Sequence, residues 1–148
     1  MIFSFKYIKG IRSIIIILVP LLFISINVNA IEKLLAHGGP VKGLAVSKDN
    51  NYMASASFDY SVVMWSLDPI EERITLIGHD AAVNTVKFSP SGDLLASGGD
   101  DNQILLWKMS YPVKKNIEIE PIILGKHRGK VVDIKFSKDG KYLISASW

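Results

Sequence analysis

From about residue 31 onward, apolar positions come in short clusters separated by turn residues, with no stretch carrying the 3.6-residue period of a helix. The clearest run is Val83-x-x-Val86-x-Phe88, which stops at Ser89-Pro90-Ser91-Gly92. In that turn the proline presets φ and the glycine permits a positive φ. Leu94-Leu95-Ala96-Ser97 follows as a short buried strand, Gly98 to Asn102 makes a second turn, and Ile104-Leu105-Leu106-Trp107 makes a third strand. Upstream, Arg73 to Ile77 alternates as a fourth strand. Strands this short, separated by turns at this spacing, predict an all-β repeat.

The pattern recurs. Three segments open at His37, His79 and His127; the first two close at Trp65 and Trp107. His37 to His79 and Trp65 to Trp107 are both 42 residues, whereas His79 to His127 is 48, which places six extra residues near Tyr111 to Ile119. Val41, Val83 and Val131 fall in register, as do Leu44, Val86 and Ile134. Ser47, Ser89 and Ser137 align too, and so do Ser55, Ser97 and Ser145. A period of about 40–45 with Gly-His at the opening and Trp at the close resembles the WD40 repeat, four strands to a β-propeller blade. Gly78-His79 matches the opening pair, while Ala36-His37 and Lys126-His127 differ by one residue. Trp65-Ser66 and Trp107-Lys108 lack the aspartate after the tryptophan.

The resemblance covers residues 31–148, in units of about 37–77, 79–124 and 127–148. It implies two complete blades and one partial blade, an incomplete ring. Ile31 to Leu35 is expected to be the strand that completes the last blade of a closed propeller, and the chain is expected to be the front of a longer protein cut after Trp148.

Residues 1–30 read differently. Lys6, Lys9 and Arg12 precede a 13-residue apolar run from Ile14 to Ile26, and Val28-Asn29-Ala30 supplies small residues for cleavage. That design predicts a signal peptide, hence an exported protein, periplasmic or secreted, with no membrane association once cleaved. The run is shorter than the roughly 20 residues of a membrane span. The leader holds three of the 17 basic residues and none of the 14 acidic ones, so residues 31–148 balance at 14 against 14. The net charge of +3 is therefore no argument for a nucleic-acid partner. With no cysteine, disulfides, thiolate zinc and covalent haem attachment are excluded within these residues.

A repeated His, Ser, Asp and Trp invites a catalytic reading. The WD40 resemblance implies a structural one, a hydrogen-bonded tetrad tying outer to inner strands in each blade. Carried over, the tetrads are His37, Ser55, Asp59 and Trp65, then His79, Ser97, Asp101 and Trp107, then His127 and Ser145 alone. A catalytic constellation would occur once, not in every unit. The three histidines sit in separate blades, so a shared metal is not expected, nor is any cofactor. Lys126, Arg128 and Lys130 read as a solvated loop in preference to an anion or partner contact.

The position before the turn aspartate holds Phe58, Asp100 and Trp148, with Tyr60 close by. In the resemblance this lies on the rim of the top face, and large aromatics there make a candidate partner surface. The expected function is an interaction scaffold for a protein partner, not an enzyme. The alternative is an accessory propeller in a longer redox protein, with a c-type cytochrome domain downstream.

Overall fold

A computed structural model describes residues 35–115 and 117–148. The predicted leader lies outside the described residues. So does the expected Ile31–Leu35 strand, apart from Leu35, which belongs to no strand.

Ten strands and, among the described residues, no helix make up the fold. The first sheet is antiparallel in the order β1 (Val41–Val46), β2 (Tyr52–Ser57), β3 (Ser61–Leu67) and β4 (Ile70–Ile77). The second repeats it with β5 (Val83–Phe88), β6 (Leu94–Gly99), β7 (Gln103–Lys108) and β8 (Ile122–Lys126). A hairpin of β9 (Val131–Phe136) and β10 (Leu143–Ser147) follows. Two four-stranded blades and one hairpin are too few to close a ring, since propellers use about 4–8 blades. β4 starts three residues before the alternation that begins at Arg73, and β8 runs two residues past the expected limit at 124.

The first strands lie side by side, β1 against β5 and β5 against β9. Strands β2 and β3 are covered on both faces, so their sequences read as unbroken small or apolar runs instead of alternating. The main core fills the space between the two blades: Ala54, Val62, Met64 and Leu76 from one side meet Val83, Val86, Leu95, Leu105 and Trp107 from the other. A smaller cluster, Ala96, Ile104, Val131 and Ile134, joins the second blade to the hairpin. Gly98 makes that joint close, because a Cβ there would sit 2.5 Å from Val131 Cγ1.

The turn after the first strand of each unit is built the same way. Ser47, Ser89 and Ser137 each accept the backbone N–H of the residue that starts, or immediately precedes, the next strand (Tyr52, Leu94 and Tyr142), all at 3.0 Å. Asn50, Gly92 and Gly140 take the left-handed position in it, with φ of 59°, 85° and 73°.

Candidate functional site

Each network begins at a histidine just upstream of its blade. Asp59 lies on the turn between β2 and β3, and its Oδ2 is 2.8 Å from His37 Nδ1. His37 Nε2 is 2.8 Å from Ser55 Oγ, and Trp65 Nε1 donates to the same oxygen at 2.8 Å. Asp59 also accepts from the Gly38 N–H, the Ser61 N–H and the Ser61 hydroxyl. Burial pushes its carboxyl upward, but the bonds from Ser61, His37 and Gly38 outweigh it and hold the group below the usual carboxylate range.

The second network is tighter. His79 Nδ1 is 2.7 Å from Asp101 Oδ2, and Nε2 is 2.6 Å from Ser97 Oγ. Burial lowers the His79 pKa, against the raising effect of Asp101, so the ring is neutral. A carboxylate can only accept, so Nδ1 carries the proton and Nε2 takes the Ser97 hydroxyl. In the third unit His127 Nε2 is 2.8 Å from Ser145 Oγ.

One expected member stands apart. Trp107 Nε1 is buried and has no acceptor among the described residues, so the second network joins three residues and not four. Trp107 is set by packing: its ring sits in the inter-blade core, 6.1 Å from the His79 ring, whereas Trp65 lies outside that cluster and keeps its bond to Ser55.

The Asp–His–Ser connectivity is that of a hydrolase triad. Its setting is not, because Ser97 is 0% and Ser55 3% exposed, which leaves no approach for a substrate to either hydroxyl. Among the described residues no group of three or more His, Asp or Glu side chains is placed to hold a metal.

The candidate partner residues meet at the end of the sheets that carries the β2–β3 and β6–β7 turns. Phe58, Asp100 and Trp148 line one cavity of about 400 Å³ with Lys42, Asn84, Lys130 and Val132. Asn84 Nδ2 donates to Asp100 Oδ1 at 2.7 Å and to the Val131 carbonyl at 2.9 Å. Lys130 Nζ stands 3.9 Å from Asp100, and Lys42 Nζ lies 5.4 Å from the Phe58 ring centroid. Trp148 is 83% exposed. Tyr60 is exposed as well but does not line the cavity; it occupies a left-handed turn position, φ 72°. Lys130, read from sequence as solvated, belongs to this cavity. Lys42, Asn84 and Val132 were not singled out from sequence, although the signal was there: they are one repeat position, the residue after Val41, Val83 and Val131.

The family model described as "WD domain, G-beta repeat" matches residues 29–66, 71–108 and 121–148. The chain is 31% identical over 118 residues to Chromatin assembly factor 1 subunit FAS2 homolog of Oryza sativa subsp. japonica, covering 73% of this chain and 23% of that protein. It is 32% identical to Apoptotic protease-activating factor 1 of Homo sapiens, covering 80% and 10%. Pre-mRNA-processing factor 19 of Oryza sativa subsp. japonica is 31% identical, covering 79% and 22%. The chain thus spans about a fifth of the length of the first relatives it matches. Chromatin assembly and pre-mRNA processing are nuclear work, and this overturns the expectation of an exported, periplasmic or secreted protein. A basic flank before an apolar run is a compositional pattern and does not by itself fix an address. The comparisons also give no support to the alternative with a downstream cytochrome.

Proposed function

Because this chain belongs to the WD40 repeat family, we propose that it acts as a non-catalytic scaffold that binds a protein partner through the cavity lined by Phe58, Asp100 and Trp148. The observation that carries this reading is that three successive units contribute the same two repeat positions, 42/84/132 and 58/100/148, to one cavity. Aromatic groups at such a rim supply anchoring area, and Asp100 with Lys42 and Lys130 gives it a mixed polar lining. The polar networks serve the fold: they satisfy buried groups and tie each β2–β3-type turn to the segment entering its blade.

The test begins with a partner recovered by co-purification with the full chain. Phe58→Ala and Trp148→Ala should each weaken binding by about 2 kcal/mol, roughly thirtyfold, while the melting temperature stays nearly constant. Loss of stability with unchanged affinity would show that both aromatics are packing residues.

A further inference from the structure

At the opposite end of the sheets, the turns after β1, β5 and β9 surround a second cavity of about 290 Å³. Its lining repeats in columns like the first. Val46, Phe88 and Phe136 close the three first strands and supply apolar walls, and Lys87 and Lys135 sit one residue before the two phenylalanines. Lys48 and Lys138 come from the turns that follow. Four lysines therefore line one concavity, and no acidic residue lines it.

The nearest acids in sequence are occupied elsewhere. Asp49 accepts from the Ser47 hydroxyl and the Asn51 N–H, and Asp139 from the Ser137 hydroxyl and the Lys141 N–H. Asp49 borders a different cavity with Ser91, Gly92 and Tyr111, one that Lys48 also touches. Lys115 and Lys130 have carboxylate partners at Glu71 and Asp100, whereas among the described residues none of these four lysines reaches one within ion-pair distance. Asp49 and Asp139 stay ionised and offset part of this charge, but four lysines around a concavity that no acidic residue lines still raise the local potential and attract an anion.

We propose that this cavity binds an acidic peptide segment of a protein partner, with carboxylates against Lys48, Lys87, Lys135 and Lys138 and apolar side chains against Val46, Phe88 and Phe136. The walls favour a peptide over a nucleic acid. They are aliphatic as well as aromatic, and the basic patch is confined to three adjacent turns instead of tracking a backbone. This site is separate from the Phe58 cavity and does not depend on its role.

Fluorescence anisotropy on the full chain tests it, using a short labelled peptide of alternating glutamate and leucine, its lysine–leucine counterpart and a thymidine oligomer. The glutamate peptide should bind best, with affinity falling as salt rises. The double variant Lys87→Glu/Lys135→Glu should lose at least about tenfold in affinity and Lys87→Gln/Lys135→Gln somewhat less, with melting curves that overlay the parent. Asp100→Asn, at the other end, should leave this binding unchanged. Affinity within twofold of the parent in both lysine variants overturns the proposal. So does equal binding of the lysine peptide, or tighter binding of the oligomer, which would assign the patch to nucleic acid.

Discussion

Asp101 gathers three donors: His79 Nδ1, the Asp80 N–H and the Gln103 N–H. Removing its charge weakens all three at once in a site closed to water. Asp101→Asn should therefore cost on the order of 1.5–3 kcal/mol in urea denaturation of the full chain, without changing affinity for a partner per folded molecule. His79 adds a pH dependence whose sign is fixed by its environment. Burial holds its pKa below the ordinary 6.5, so as pH falls the unfolded imidazole binds a proton before the folded one does. Stability from this group is complete above about pH 6.5 and is lost progressively as pH falls below it. Denaturation midpoints between pH 5 and 7.5 should show that decline, and His79→Gln should flatten it. Trp107 carries a different balance, since an unpaired buried N–H costs about 1–3 kcal/mol and is offset by the apolar contacts of the ring.

Turns decide how the strands meet. At the left-handed position after the first strand the three units use Asn50, Gly92 and Gly140, residue types that tolerate positive φ. The matching position after the second strand holds Asn102 in one blade, φ 68°, and Tyr60 in the other, φ 72°. Tyrosine gains no local hydrogen bond there to offset its steric cost. Tyr60→Asn should raise stability by up to about 1 kcal/mol in thermal denaturation, and it should spare partner binding because Tyr60 lies off the Phe58 cavity. A fall in affinity would return Tyr60 to the candidate surface.

Across the molecule, the six-residue excess between the second and third units has a structural place. It lies between β7 and β8, where Met109, Tyr111 and Val113 reach both blades. Met109 and Val113 are buried in the inter-blade core, and the Val113 N–H donates to Tyr52 Oη at 3.3 Å. The Tyr111 hydroxyl donates to the Gly92 carbonyl at 2.8 Å, and its ring packs on Tyr52 with centroids 4.9 Å apart. Burial, with help from the nearby Asp49 charge, pushes the Tyr111 phenol up to about 12. Tyr111→Ala should cost roughly 1–3 kcal/mol through the lost aromatic pair and hydrogen bond, and Tyr111→Phe only about 1 kcal/mol. Guanidinium denaturation separates the two, and equal effects would mean that the hydroxyl alone holds the segment.

The sequence by itself determined the strand-and-turn pattern and the repeat, while the grouping of His79 with Asp101 and Ser97 came only as what the WD40 resemblance implies. The pattern and the repeat depend on side-chain period, turn stereochemistry and spacing within one unit, all local properties that the repeat copies. It also marked Phe58, Asp100 and Trp148 as one repeat position. That this column shares a cavity with Lys42, Asn84 and Val132 was not legible, and neither was the gathering of four lysines at the opposite end. Both follow from how neighbouring sheets stack, which sets distances between residues some 40 positions apart that no local preference encodes. Tertiary packing likewise drew Trp107 into the inter-blade core and away from Ser97, because apolar burial acts on the whole ring while the hydrogen bond acts on one atom of it.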